Sequence, residues 1–373
     1  MKKIKLGDVL NVKRGASLSG EYYSSKGTLI RLTLGNFNYP NNGFKYNTSK
    51  DDLYFIGPIS NEFILKKGDI ITPLTEQVRG LLGNTATIPE DNTFIQSGDI
   101  GLIIPNEELI DKRFAYYLVS SPIVKKQLDA GSQQTKIRHT SPDRIKDCIA
   151  FIPELEEQRK IAKLLDDINS KIEINNKIND NLQQLMEIFY DHYFGKLSLN
   201  DQKELFQTIK VSSLLEVKTG KEDANFSNSS GKYNFFTCSK DTLKCDTPAF
   251  FGHAILIAGN GDFNVKHYTG DFNAYQRTYV LIPENDLYYG SIYMSAVKLI
   301  KKFKKASSGS IVKFISKGDV ENIQVIIPKD KSLLLQLNNY LFSIEGNLKE
   351  NEELISIRDT LLPLLMNGQA TID

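Results

Sequence analysis

Three cysteines (Cys148, Cys238, Cys245) and four histidines (His139, His192, His253, His267) are the chain's obvious nucleophiles and metal ligands. No two cysteines stand as CxxC and no two histidines as HxxxH, the spacings that bring two ligands to one metal. Neither a zinc ribbon nor a disulfide framework is expected, and the histidines read as structural. No GxxxxGK[ST] loop is present to cradle a nucleotide's phosphates, and AGNGD at 258–262 reads as a turn. Pro142-Asp143 has no acidic-x-Lys strand downstream to complete a nuclease site. No catalytic constellation, metal site or resident cofactor is expected. What remains is side chains that bind. GSQQTKIRHTS at 131–141 concentrates Gln133, Gln134, Lys136, Arg138 and His139, and ASSGSIVKFIS at 306–316 carries Ser308, Ser310 and Lys313. Gln77, Arg79, Asn260, Gln276 and Arg277 lie in other polar loops. Lys125 and Lys126, and Lys301, Lys302, Lys304 and Lys305, form two basic clusters.

These loops sit on a repeated framework. KLGDVLNVKRG at 5–15 returns as KVSSLLEVKTG at 210–220, about 205 residues on. GLIIP at 101–105 answers YVLIP at 279–283, and IKDCIAFIP at 145–153 answers VENIQVIIP at 320–328. SPIVKKQ at 121–127 answers AVKLIKKF at 296–303. Four echoes in one order imply a duplication. Between them the halves diverge, in stretches rich in Gly, Asn, Asp, Thr, Tyr and Phe, the composition of short strands and tight turns.

Each half then gives way to one long helix. Apolar positions step by three and four through Ile161, Leu165, Ile168, Ile172, Asn175, Asn179, Leu182, Met186, Phe189 and Tyr193. A shift of 176 residues maps that seam onto Leu337, Leu341, Ile344, Leu348, Asn351, Ile355, Arg358, Leu362 and Leu365. Gly195 and Gly368 supply stop signals. Each helix of roughly 35–40 residues is too long to bury its stripe on a small β domain, so the two are expected to pack as an antiparallel coiled coil. Asn175 and Asn351 are the midpoints of their seams. If a pseudo-two-fold axis relates the repeats, it passes near both, and these buried amides fix the register.

The expected fold is α+β: two tandem β-rich domains, each followed by a long helix. The boundaries are 1–152 for the first domain, 153–196 for its helix, 197–207 for a linker, 208–328 for the second domain, 329–367 for its helix and 368–373 for a tail. Apolar content of 40% and charged content of 24% suit a globular protein. No stretch is apolar enough to span a membrane and the amino terminus lacks a signal-peptide core, so a cytoplasmic location is expected. The net charge of +1 lacks the basic excess of a simple nucleic-acid-binding domain. It is compatible with that role if basic residues cluster locally.

Two β-rich domains, each with a heptad helix, resemble the specificity subunits of type I restriction–modification enzymes. The most telling segment is IPELEEQRKIAKLLDDINSKIEINNKINDNLQQLMEIFYDHYF at 152–194, joined by the KLGDVLNVKRG opening, and the resemblance covers nearly the whole chain. The second helix departs from it, since IPKDKSLLLQLNNYL lacks the Glu-Gln-x-x-Ile-Ala opening. The resemblance implies a non-catalytic subunit whose two target-recognition domains each read one half of an asymmetric, split DNA site. The helices would set the unread spacer. Two methyltransferase subunits would bring S-adenosylmethionine, and two motor–endonuclease subunits ATP and Mg2+. The loop residues named above then become candidates for base edges, with Arg and Lys suited to guanine and Asn and Gln to adenine. The clustered lysines become candidates for phosphates. Glu156, Glu157, Gln158 and Arg159 begin the expected partner surface. Two alternatives stay open: a coiled-coil scaffold that never touches DNA, and a subunit of a modification-only methyltransferase.

Overall fold

The computed structural model describes residues 1–39, 42–76, 80–130, 138–195, 204–306 and 314–372, with backbone alone at 305 and 306. The chain divides into two compact units, Met1–Lys171 with Glu353–Asp373, and Ile172–Glu352. The division cuts both long helices near their middles, because each β region packs on the nearer half of the helix pair.

The echoes fall on equivalent elements. In the first unit, Lys2–Lys5 pairs antiparallel with Ile149–Ile152, and a 3-10 turn at Leu6–Asp8 leads into Leu10–Arg14. In the second, Phe206–Lys210 pairs with Gln324–Pro328, and a turn at Val211–Ser213 leads toward Lys218–Thr219. That strand begins inside the segment expected to be linker. Leu10–Arg14 pairs with Ile100–Pro105 and Lys218–Thr219 with Thr278–Leu281, so GLIIP and YVLIP occupy one position in the two folds.

The shared Gly15 and Gly220 have a common steric cause. A Cβ on Gly15 would lie 2.3 Å from the Ser97 carbonyl oxygen, and one on Gly220 would lie 2.0 Å from that of Ala274. Both contacts are with backbone, which cannot rotate away, so no side chain fits at either point.

The variable stretches differ as composition implied. The first unit builds a four-stranded sheet in the order Leu10–Arg14, Ile100–Pro105, Ile70–Pro73, Ala86–Thr87, and a second small sheet from two-residue strands. The second unit builds a six-stranded sheet centred on Phe250–Ala258 and Val265–Ala274. Helices Lys112–Val119 and Pro122–Ala130 answer the single helix Tyr289–Ala306.

The long helices run Leu155–Tyr190 and Lys331–Met366, 36 residues each. In the first unit Ile161, Ala162 and Leu165 join one core with Leu365 and Met366. In the second, Met186, Tyr190 and Phe194 join Leu334, Leu337 and Leu341. Within each unit the segments are therefore antiparallel. Two seam expectations need correction. Leu348 is 46% exposed, because a straight helix of 3.6 residues per turn drifts away from a 3.5 repeat. Tyr193 points out and Phe194 in, because Asp191–Gly195 widen into a π-turn that stacks Phe194 on Tyr190. Gly195 ends that turn, whereas Gly368 closes the second helix in the left-handed region at φ +73°.

The two midpoint asparagines meet. Asn175 Nδ2 donates to Asn351 Oδ1 at 2.9 Å and to Glu350 at 2.7 Å, while Asn351 Nδ2 donates to Asn176. Both are buried, and the Asn175 Oδ1 atom has no partner among the described residues. An orphaned buried acceptor costs on the order of 1–3 kcal/mol. The double variant Asn175→Leu, Asn351→Leu is therefore expected to raise the thermal midpoint by a few degrees while relaxing the register. A lowered midpoint would mean that the amides stabilise the pair outright.

Candidate nucleic-acid interface

The first unit sorts its candidates sharply. Lys126 and His139 are exposed. Lys125 is not available as a phosphate grip: it folds inward to donate to Asn84 Oδ1 at 2.8 Å, and burial lowers its pKa, opposed by Asp359. Arg138 is also committed. It pairs with Glu76 at 3.1 Å and with Asp129, and donates to the Asp129 carbonyl. Glu76, 1% exposed, additionally accepts from the Leu81 and Leu82 amides. This cluster anchors the strand pair Thr75–Glu76 with Arg138–His139. Gln77, Arg79, Gln133, Gln134, Lys136, Ser308, Ser310, Lys313 and the side chain of Lys305 lie outside the described residues.

In the second unit, Lys302 and Lys304 are exposed on Tyr289–Ala306, and Asn260 is half-buried in the Phe250–Ala258 to Val265–Ala274 turn. Lys301 is engaged by Glu187 at 2.7 Å, an exposed pair that leaves its charge partly neutralised. Gln276 and Arg277 occupy the tight turn before Thr278–Leu281 and are both exposed. They line a cleft of about 240 Å³ with Thr219, Tyr279, Phe314 and Ser316. Gln276 Nε2 donates to Asp223 at 2.7 Å, and the Tyr279 hydroxyl to the Ile315 carbonyl at 2.8 Å. The Phe314 ring, 64% exposed, forms the rim. Arg14 and Phe314 were not singled out by sequence. Arg14 lies between the repeated Lys13 and Gly15, at a position that the second repeat fills with Thr219, so the echo itself did not mark it.

The expected partner surface changes in one respect. Glu156 and Arg159 are exposed, but Gln158 is 1% exposed and is not part of any surface. Its Oε1 accepts from the Asp111 amide and its Nε2 donates to the Pro153 carbonyl, tying the long helix to the start of Lys112–Val119. Asn338 does the same work in the second repeat, accepting from the Gly290 amide and donating to the Asp286 carbonyl. The position equivalent to Gln158 is Leu334, which explains the missing Gln in the second helix's opening. Glu157 accepts from the Ile372 amide and so holds the tail.

A different face is free. Ile174, Ile178, Leu185 and Ile188 are 42–66% exposed and follow a heptad step along the second half of the first helix. The 176-residue shift carries 178, 181, 185 and 188 to Leu354, Ile357, Leu361 and Leu364, where Ile357 is 49% exposed and the leucines are half-buried.

The three cysteines are free thiols, and burial, with Asp147 adding, pushes Cys148 up to about 11. His267 bonds to Glu345 and His253 to Thr269, both inside the fold of the second unit. Among the described residues no cluster of three His, Cys, Asp or Glu side chains could hold a metal ion, and no helix is long and apolar enough to cross a membrane.

A family model described as the type I restriction modification DNA specificity domain matches residues 1–184 and again 203–344. The chain is 35% identical over 187 residues to the type I restriction enzyme EcoDI specificity subunit of Escherichia coli, a match that takes in 48% of this chain and 40% of the relative. The chain thus spans about two fifths of that relative's length. It is 22% identical over 332 residues to the putative type I restriction enzyme MjaX specificity subunit of Methanocaldococcus jannaschii, covering 78% of this chain and 76% of the other. The crystal structure of the S subunit of a type I restriction–modification system from M. genitalium covers 98% of this chain and 96% of its own, with a TM-score of 0.57 at 20% identity. That likeness is one of fold.

Proposed function

The chain belongs to the type I restriction modification DNA specificity family, and on that premise we propose that it is the non-catalytic subunit that reads a split DNA site. Residues 1–152 and 208–328 act as target-recognition domains, each for one half-site. Because their sheets differ, the two half-sites differ and the target is asymmetric. The helices 153–196 and 329–367 set the length of the unread spacer.

The observation that carries this reading is duplication with selective divergence. The pairing of the closing strands, the glycine contacts and the helix ties recur in both units, while the sheets between them do not. Divergence confined to the loop-bearing part is what exchange of recognition specificity requires, and a scaffold has no use for it.

The same repetition supports two copies of a partner. The exposed stripe through Ile174, Ile178, Leu185 and Ile188 and the stripe through Leu354, Ile357, Leu361 and Leu364, which the 176-residue shift matches at three positions, each offer a narrow apolar seam for a partner helix. We assign these to two methyltransferase subunits, which would bring S-adenosylmethionine and flip the target adenine. Motor–endonuclease subunits, with ATP and Mg2+, complete a restriction complex where they are present, and the cytoplasm is where such a complex meets DNA.

The test is adenine-methylation mapping of DNA from cells that express the methyltransferase with and without this chain. A split, asymmetric motif that vanishes without the chain is the expected outcome. An unchanged methylome, with both proteins present and assembled, would refute the specificity role.

A further inference from the structure

We infer that each recognition domain reads a guanine with an arginine bordering the equivalent cleft of its fold, Arg14 from the Lys-x-Gly strand in the first repeat and Arg277 from the turn facing that strand in the second. The inference rests on the specificity reading above and names what the two sites take: the O6 and N7 edge of guanine in the major groove.

The equivalence follows from the strand pairing. The Gly15 amide donates to the Ile100 carbonyl at 3.1 Å, and the Gly220 amide to the Thr278 carbonyl at 3.1 Å. This places Arg14 opposite Thr219, and the Gly98-Asp99 turn opposite Gln276-Arg277. The serine-capped short helices Pro142–Lys146 and Lys317–Glu321 then align Ser141 with Ser316, Thr140 with Ile315 and His139 with Phe314. In the second unit these positions form the cleft of Thr219, Arg277 and Phe314. In the first, the same space is bridged by the Arg14 side chain, which donates to the Gly98 carbonyl at 3.0 Å and the Thr140 carbonyl at 3.4 Å. The arginine has changed strands between the repeats, from the Lys-x-Gly strand to the turn facing it, yet it serves one location.

Its chemistry there is unlike that of the chain's structural arginines. Arg31, Arg113, Arg138 and Arg358 each face a carboxylate. Arg14 is exposed and meets main-chain carbonyls, which orient the guanidinium without neutralising it. Arg277 is the one arginine of Ile172–Glu352, is exposed, and makes no side-chain hydrogen bond or ion pair among the described residues. Beside each stands an exposed ring, His139 or Phe314. A charged fork with free donors matches the paired acceptors of guanine. A flat rim side chain packs on the neighbouring nucleotide, as a phenylalanine does on a thymine methyl group.

The experiment uses the full chain assembled with its methyltransferase subunits, in wild-type, Arg14→Ala and Arg277→Ala forms. Motif mapping is followed by binding to oligonucleotides in which single guanines are replaced by 7-deazaguanine, which lacks the N7 acceptor. Each alanine variant is expected to lose discrimination by about tenfold or more at one guanine, the two variants acting in different half-sites. The wild-type complex should lose affinity on the matching 7-deazaguanine substitution and the variant should not. Loss of a mere phosphate contact would weaken binding uniformly and leave the motif intact; an intact motif in either variant, or both variants altering the same half-site, overturns the inference. A variant that methylates nothing is decided by the oligonucleotide arm, where equal sensitivity of variant and wild type to every 7-deazaguanine overturns it. A wild-type complex with no split motif overturns the specificity reading and this inference together.

Discussion

Replacing Glu76 with alanine is expected to cost the first unit about 3 kcal/mol. The side chain is 1% exposed and accepts three hydrogen bonds, from the Leu81 and Leu82 amides and from Arg138. Alanine removes all three acceptor contacts and leaves two amides and a largely buried guanidinium short of partners. Asp129 still faces Arg138, which keeps the loss below that of a wholly stranded charge. The strand pair Thr75–Glu76 with Arg138–His139 has two registered residue pairs, one of them Glu76 with Arg138. Hydrogen exchange measured by mass spectrometry should therefore show protection falling first at 81–82 and 138–139, with the second unit unchanged. Glu76→Gln keeps the shape and is expected to cost about 1 kcal/mol. Equal protection in the alanine variant and the wild type would show that Asp129 alone holds Arg138.

The second large effect is expected at Glu345. Burial raises the pKa of this carboxyl, but hydrogen bonds from His267, Thr269 and Tyr289 outweigh it and hold the group below its ordinary value. The contacts measure 2.7 Å to His267, 2.5 Å to Thr269 and 2.7 Å to Tyr289, so the carboxylate joins the long strands of the sheet to both Tyr289–Ala306 and the second long helix. Burial and the adjacent carboxylate in turn push the Tyr289 hydroxyl far up, so it remains a donor. Glu345→Ala is expected to cost the second unit about 3 kcal/mol at neutral pH. A folded-state pKa below the unfolded value means that the stabilisation is fully present above the ordinary value of 4.5 and is lost as pH falls through the depressed one. Urea midpoints for the wild type and Glu345→Gln should differ most near pH 7 and converge as the pH falls below the ordinary value of 4.5 and through the depressed one. A gap that stays constant down to pH 3 would show that the carboxylate's charge contributes nothing.

The seam of the helix pair and the positions of the repeated strands were legible because they are written in local period and in recurrence. A heptad stripe can bury itself against one kind of neighbour, and Asn175 and Asn351 had to meet once the two seams shared a shift and ran antiparallel. Gly15 and Gly220 recurred because a backbone passes too close for any side chain. The roles of polar side chains were another matter. Arg138 and Arg14 look alike in sequence. One is fastened to Glu76, 62 positions away, and the other reaches carbonyls 84 and 126 positions away with no carboxylate paired to it among the described residues. Lys125 turned inward to Asn84 while Lys126 stayed out, since neighbouring helix residues point in different directions. Gln158 read as surface because it follows two glutamates, yet it satisfies a buried amide at the start of another helix. What the sequence by itself determined was which segments repeat, which are helical and which faces are apolar, since those depend on spacing along the chain. Which charges are neutralised, and therefore which keep an unpaired charge at the surface, was decided by the tertiary structure alone, because an ion pair or hydrogen bond acts over a few ångströms and the fold chooses its partners from anywhere in the chain.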